Sequence, residues 1–536
     1  MKKLYYNGDI LTMKNREDAP EAVVTQDAAI LYAGSLAGAK AAAGADAQMI
    51  DLQGHTLLPG FIDPHSHFFQ TAQSIDLCDL SEAKDFSDIV RLLQEYIQSH
   101  GLTSEDLVTA MNYDHNFLAE GVHPDRKVLD RASETVPIYV SHTCGHMGAA
   151  NSALLKLAGV TKDAPDPAGG HFGRDAVGEP TGYIEEVPAI MQVLSCGGNR
   201  MKVDMVKQLG MAQELYYSHG VTTAQEGAAG KQTVEGLAQL AKAGLLTIDV
   251  VSYVMQEEYA QTAAALPEYV GQYVDHVKIG GSKIILDGSP QGRTAWLSAP
   301  YEVVSEGDDP TWRSQAIHPD AYVKEACRDA LEDGHQILCH CNGDAASEQF
   351  LNGYEAALRE AKDPKKDIRP VMVHCQTIRE DQIDRLAALA MVPSVFIGHV
   401  YYWGDVHVKN LGETRAVRIS PLKSIKERGL IYNLHQDTPV TKPDMLHSVW
   451  TAVNRKTRGG RVLGPQQAID VYDALKGVTI HAAYAYHEED VKGTIEPGKA
   501  ADLVILEKNP LKVPAEKIQD IRVLETIKGG ETVYHR

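Results

Sequence analysis

The spacing of apolar and polar residues changes along this chain, and the changes divide it. Over the first fifty-odd residues the two kinds alternate with a period of two, in "KLYYNGDILTM", "AAILYAGS" and "MIDLQGHTLLP". That is the spacing of short strands with one buried face. The pair Asn7-Gly8 predicts a tight hairpin between the first two runs. The last fifty residues read alike, in "GTIEPGKAADLVILEKNP" and "IRVLETIKGGETVYHR", with a Gly-Gly turn. Neither end is long enough to enclose a good core. Residues 1–58 and 486–536 are therefore expected to meet in one small β-sandwich.

From about residue 203 the period switches back and forth between helix and strand. "MVKQLGMAQELYYSHG" predicts a helix stopped by Gly220, "VTTAQE" a strand, "VEGLAQLAKAG" a helix stopped by Gly244, and "LTIDVVSYVM" a strand. The alternation continues through "HVKIGGSKIILDGS", "AYVKEACRDALEDG", "HQILCHC", "RPVMVHC", "EDQIDRLAALA", "VPSVFIG" and "LIYNLHQDTPV". Repeated βα units call for a parallel sheet, and closure into a TIM-like (β/α)8 barrel over residues 59–485 is the natural solution. Residues about 70–200 break the rhythm. The Gly-, Pro- and Asp-rich "DAPDPAGGHFGRDAVGEPTGYIEE" reads there as a loop within an insert or cap region.

Composition narrows the function more than the fold. A chain of 536 residues with 44% hydrophobic and 23% charged residues is an ordinary globular α/β protein of two or three domains. A net charge of −21, with no basic cluster longer than "DPKKDIRP", argues against nucleic acid or an anionic membrane as partner. Asn7, Gly8 and Asp9 interrupt the N-terminus before any apolar run of signal length, so no leader is expected. Nor is there an apolar stretch of membrane-spanning length. Seven scattered cysteines without a CxxC pair fit a reduced, cytoplasmic protein.

Several barrel runs end in polar residues able to hold a metal. "GFIDPHSH" ends in His65 and His67, "HQILCH" in His340, "RPVMVH" in His374 and "LIYNLHQD" in Asp437, while Lys283 lies in a strand read as starting at Val277. Active sites of parallel barrels form at such C-terminal strand ends. Residues two apart on a strand share a face, so His65 and His67 are expected to point together into the barrel mouth. With 22 histidines one such pair arises by chance about once in a chain this long, and the pair alone decides nothing. The convergence of four runs favours a metal site over scattered structural histidines. Imidazole and carboxylate suit zinc, or manganese, iron or nickel. Cys339 and Cys341, alternating with His340, should face the helix layer as small core residues, and Cys375 is read the same way.

"LPGFIDPHSH" together with "GTIEPGKAADLVIL" resembles the amidohydrolase superfamily. "KIILDGSPQGRTA", "HCNGDAA", "VHCQ", "HQDTPV" and "GHMGAANSALLKLAGV" resemble its amidohydrolase-3 or YtcJ-like branch, which includes N-substituted formamide deformylases. The resemblance runs nearly end to end. It implies that His65 and His67 bind the more buried metal and that His340 and His374 complete a second position. It implies Lys283 as a bridging ligand once carboxylated, the alternative being an unmodified lysine beside one metal. Asp437 would touch the first metal and move the proton. The implied cofactor is a divalent metal, zinc first, as one or two ions, and the implied assembly is a homodimer.

The activity this implies is hydrolysis of a non-peptide C–N bond in a small amide, N-formyl or N-acyl compound. Metal lowers the pKa of bound water to about 7, and two ions would lie roughly 3.5–4 Å apart. Asp437 would pass the proton to the leaving nitrogen, since an amine anion leaves poorly. A deaminase, a lactonase and a non-catalytic regulatory relative are the competing readings. His435-Gln436 before the carboxylate and Cys341-Asn342 after His340 depart from the usual pattern and should alter the pocket floor. His146 and Arg293 are candidates for substrate contact, Arg293 either gripping a carboxylate or holding its loop. Tyr113, His399 and Trp403 lie in segments expected near the pocket, with ordinary packing as the alternative.

Overall fold

Apolar runs separated by helices settle into one eight-stranded parallel sheet in the computed structural model, which describes residues 1–143, 145–167, 169–200, 204–303 and 309–536. Its strands are β1 (Phe61–Ile62), β2 (Val221–Ala229), β3 (Asp249–Met255), β4 (Val277–Ile285), β5 (Gln336–Cys341), β6 (Val371–His374), β7 (Val392–Val395) and β8 (Asn433–Leu434). They pair in chain order, every neighbour parallel. The arrangement fits a TIM-like barrel. Residue 203, where the alternation was read to begin, lies outside the described residues. The strands are buried almost throughout, as a parallel sheet covered on both faces requires.

The intervening helices follow the predicted stripes. Lys231–Lys242 buries Val234, Leu237, Ala238 and Ala241, a repeat of three and four along one face. Asp320–Asp333 does the same with Val323, Ala326, Cys327, Ala330 and Leu331. It stops at Gly334, whose left-handed backbone lets its N–H reach the Ala330 carbonyl. Gly220, at φ +79, follows the helix Met205–Ser218 in the same way.

Beyond β1 and β8 the chain continues to pair. Asp437 N–H donates to the His65 carbonyl at 3.1 Å, and His67 N–H donates to the Thr438 carbonyl at 2.7 Å. These bonds join the segments that follow the first and last strands.

The chain ends form two sheets. One is four-stranded, in the order Ala29–Gly34, Ala22–Gln26, Lys2–Tyr6, Gln48–Asp51; the other runs Asp9–Ile10, Thr56–Pro59, Leu503–Leu506, Val523–Lys528, Glu531–His535. Tyr5, Val23, Ile30 and Leu52 share one apolar cluster with Leu57, Leu503, Ile505 and Ile527. Gly529-Gly530 makes the expected turn between two antiparallel strands. Asn7-Gly8 does not: Lys2–Tyr6 and Asp9–Ile10 belong to different sheets. The turn instead carries the chain across, and a Cβ on Gly8 would lie 2.4 Å from the His55 carbonyl oxygen. Matching of distant apolar faces, not the local turn signal, decides that pairing.

Contacts divide the chain into two units, Met1–Thr71 with Leu209–Arg536, and Ala72–Gln208. The second unit has its own six-stranded sheet, in the order His171–Arg174, Pro180–Glu185, Met147–Ala150, Ile138–His142, Val108–Tyr113, Cys78–Asp79. The stretch read as loop thus contains an antiparallel hairpin. Its turn is built by Asp175, whose carboxylate accepts the N–H groups of Val177 and Glu179, and by Gly178 at φ +88. The described residues include no helix long and apolar enough to cross a membrane.

A buried ion network ties the start of β3 to the C-terminal segment. Lys492 Nζ lies 2.7 Å from Asp249 and 3.1 Å from Glu488, and Lys528 Nζ lies 2.6 Å from Asp249 and 2.7 Å from Asp502. Glu488 also pairs with Lys278. Burial would raise the Asp249 pKa, but the two ammonium groups outweigh it and hold the carboxyl well below its usual range. A depressed carboxylate stabilises the fold fully at neutral pH and loses that contribution in acid. Asp249→Asn leaves two buried cations underpaired and should cost about 3 kcal/mol, read from urea midpoints. The gap between the two proteins should narrow as pH falls below about 4.

Candidate metal centre

His65 and His67 are not strand residues. β1 ends at Ile62, and both histidines sit in the "DPHSH" segment that follows, where the prolyl residue and the pairing with Thr438 set the path. The expectation that strand alternation aims them is therefore corrected. The outcome is nonetheless convergence: His67 Nε2 lies 3.2 Å and His65 Nε2 3.6 Å from the same oxygen, Asp437 Oδ1. Asp437 stands past β8 in left-handed backbone, φ +57. His374, the last residue of β6, is also left-handed, φ +78. Such backbone in side chains with a Cβ is held only where surrounding structure enforces it. One atom each of His65, His374 and Asp437 lies within 4.8 Å of the others.

His340 and His374 pack with ring centres 4.4 Å apart, and His65 and His374 with centres 5.5 Å apart. Lys283 is on β4, paired with Leu338 of β5, and is 1% exposed. Its Nζ has no hydrogen-bond partner among the described residues. Burial lowers its pKa and the Asp437 carboxylate opposes, leaving it at about 8.

Each imidazole is oriented from behind. Gln225 of β2 donates from Nε2 to the Pro64 carbonyl at 2.6 Å and to Tyr486 Oη at 3.0 Å. Its amide oxygen therefore faces His65 Nδ1, 2.6 Å away. His65 must donate from Nδ1, which leaves the Nε2 lone pair on the Asp437 side. Gly227 makes room, because a Cβ there would come within 2.6 Å of the His65 ring. Glu226 accepts the Phe69 N–H at 2.6 Å and lies 3.9 Å from His67 Nδ1. Asp287 accepts from the N–H groups of Trp296, Asn342 and Gly343 and lies 3.2 Å from His340 Nδ1. His435 stands between Ser394 Oγ at 2.9 Å and His374 Nδ1 at 3.2 Å. The departure seen in the sequence at His435 thus supports a neighbouring histidine.

The electrostatics are those of a cation site. Burial drives His65 and His374 well below the ordinary histidine range, so both are neutral and offer lone pairs. Burial also pulls on His67, but Asp437 and Glu226 win and lift it to about 9. Asp437 faces His67 Nε2 and Glu226 faces its Nδ1, so the negative charge that lifts this pKa also favours a cation on the Asp437 side. Against burial, hydrogen bonding to His67 and the nearby imidazoles keep Asp437 ionised, well below the usual carboxylate range. Three imidazole nitrogens within reach of one carboxylate, beside a buried unpartnered lysine, fit a divalent transition metal by their chemistry.

The candidates for substrate contact are spread over both units. His399 is buried, 3.0 Å from His407 Nε2, and packs on Phe396 and Trp403; Phe396 in turn packs on His435. Arg293 donates to the Glu302 carbonyl and lies over the Tyr301 ring. Tyr113 and His146 belong to the Ala72–Gln208 unit. Tyr113 is fully buried with its hydroxyl 2.9 Å from His123, and His146 pairs with Glu186 at 3.2 Å. Cys339 and Cys341 are buried with their sulfurs 3.4 Å apart, and Cys375 is also buried.

Gln225, Glu226 and Asp287 were not singled out from sequence. The available signal was a Gln-Glu pair and an aspartate inside or ending otherwise apolar parallel strands, where an uncompensated polar group is costly.

A fold of this kind with this centre belongs to the metal-dependent hydrolases. Residues 48–534 match the sequence profile of the amidohydrolase family, and the chain belongs to that family. YtcJ of Bacillus subtilis (strain 168) is 26% identical over 560 residues, with 100% of both chains covered. The N-substituted formamide deformylase of Arthrobacter pascens is 25% identical over 546 residues, covering 99% of this chain and 98% of that one. A solved structure of an uncharacterized metal-dependent hydrolase from Pyrococcus furiosus superposes with a TM-score of 0.75 at 25% identity, over 96% of this chain and 100% of that one.

Gln225→Leu removes the acceptor that fixes the His65 tautomer. Metal affinity, measured by competition with a chromophoric chelator, should fall 10- to 100-fold. Unchanged affinity would show that His65 is oriented by something else.

Proposed function

We propose that this metal-dependent hydrolase of the amidohydrolase superfamily cleaves the C–N bond of a small amide, of the N-formyl or N-acyl kind. The observation that carries the reading is the convergence of His65 and His67 on one oxygen of an ionised Asp437. His65, His67, His340, His374, Lys283 and Asp437 would hold the metal, zinc being the best match to the donor set. A divalent cation there supplies Lewis acidity, polarising a carbonyl and acidifying water.

The chain's own residues supply the rest. Asp437 is ionised and so able to accept a proton from the attacking water. Its place at the end of the barrel lets it return that proton to the departing nitrogen, which cannot leave as an anion. Gln225, Asp287 and His435 keep the imidazoles aimed while this happens, so that reorganisation is small. Lys283, held at about 8 without a partner, is the residue suited to carboxylation, because the neutral amine is the form that reacts with carbon dioxide. The formamide deformylase from Arthrobacter pascens acts, by its name, on such a C–N bond, which supports the substrate class. The two terminal sheets, sharing one apolar cluster, are read as a small β-sandwich closed by both chain ends.

Zinc- and manganese-loaded protein should hydrolyse members of a panel of N-formyl and N-acyl compounds in preference to ureas and lactones. Preference for lactones would replace the C–N reading with an ester one. On the best substrate, Asp437→Asn should lower kcat by 100-fold or more, and full turnover in that variant would remove Asp437 from proton transfer. His65→Ala should lose metal by elemental analysis.

A further inference from the structure

We infer that the Ala72–Gln208 unit holds a second transition-metal site of its own, built from Asp114, His115 and His142. The three residues come from the C-terminal ends of two adjacent parallel strands, Val108–Tyr113 and Ile138–His142. Such ends are where parallel sheets place their ligand-binding groups. The ladder between these strands slips just there. Ala110 faces Val140, but Tyr113 faces His142, so one strand carries an extra residue, and Asn112 takes up the difference at φ +69. A bulge of this kind re-aims the side chains that follow it, and those are Asp114 and His115.

The resulting geometry is that of a coordination sphere. His115 Nδ1 lies 3.1 Å from His142 Nε2, His142 Nε2 lies 3.5 Å from Asp114 Oδ1, and His115 Nδ1 lies 4.0 Å from the same oxygen. Tetrahedral zinc with bonds of about 2.0–2.1 Å sets its ligand atoms about 3.4 Å apart. The first two separations bracket that figure, and the third is wider than it. In the barrel the corresponding separations are 3.2 and 3.6 Å.

The surroundings hold the triad in place. The His123 ring packs at a tilt of 33° on His115 with centres 4.1 Å apart, and the buried Tyr113 hydroxyl lies 2.9 Å from His123 Nδ1. Burial lowers the pKa of His115, so its lone pair is free of a proton at neutral pH. Two imidazole nitrogens and one carboxylate oxygen suit zinc and its neighbours rather than magnesium or calcium, which take oxygen ligands. The three protein ligands found among the described residues leave a fourth position of a tetrahedral ion for a further donor. The site stands apart from the reading of the barrel centre, since none of its residues is used there.

The test uses the full chain with the barrel centre disabled by His65→Ala and His67→Ala, freed of metal and titrated with cobalt(II). One equivalent should bind with the intense visible absorption of a tetrahedral site. His142→Ala should abolish it, and Asp114→Asn, which keeps the side-chain shape, should weaken it at least tenfold. In the chain with an intact barrel, His115→Gln should lower total bound zinc by one equivalent while turnover of the best substrate keeps its metal dependence. Failure of the barrel-disabled protein to bind cobalt(II), or binding untouched by the three substitutions, would show that the triad is a hydrogen-bonded cluster and holds no metal.

Discussion

The paired histidines and the carboxylate arrive from the first and last barrel strands, and two backbone hydrogen bonds hold them in register. Asp437 N–H bonds to the His65 carbonyl and His67 N–H to the Thr438 carbonyl. Neither bond lies within a regular strand, yet together they fix the distance between three side chains. A slip at this seam would move every nitrogen relative to the Asp437 oxygen at once. The left-handed backbone of Asp437 and the ring-by-ring packing of His65, His374 and His435 are tolerable because this seam and the sheet over-determine them.

Charge follows from that geometry. One ionised carboxylate sits among imidazoles, of which burial keeps His65 and His374 neutral, with a second carboxylate, Glu226, behind His67. His65, His374 and Lys283 are buried, so charges beside them are weakly screened. The supporting residues work in the opposite sense to the ligands: Gln225 and Asp287 each accept from a histidine Nδ1 and so settle which nitrogen carries the lone pair, while His435 packs and bonds against His374. A centre with this preorganisation needs little rearrangement when a cation or substrate arrives.

Much of this was legible in the sequence because barrel strands are simple objects. Apolar runs of strand length, ended by His340, His374 or Asp437, announce both the sheet and the end where the histidines and the carboxylate gather. Alternation also placed Cys339 and Cys341 together on the buried side. Reading failed where partners are non-local. Asn7-Gly8 has the right residues for a hairpin, but the apolar faces of distant strands claim its two arms for different sheets. The strand assigned to His65 and His67 is really a turn-like segment fixed by residues 437 and 438. The insert's hairpin hid inside a Gly- and Asp-rich stretch, since the residues that build a turn look the same as those of a loop. Glu226 was passed over because a carboxylate next to an amide carries no motif of its own; only the tertiary structure shows what it touches.

The antiparallel pairing of Thr56–Pro59 with Leu503–Leu506 has a consequence for assembly. The early strand is synthesised with the first residues of the chain but cannot find its partner until residue 503 has emerged. Until then its edge, and the apolar face carrying Leu57, stand open while the whole barrel is being made. Pairings this distant close slowly and leave unpaired edges at risk of association with other chains. The strand at residue 503 thus completes the one at residue 56, and a nascent chain has to be kept apart from its neighbours until the whole barrel between them has been made.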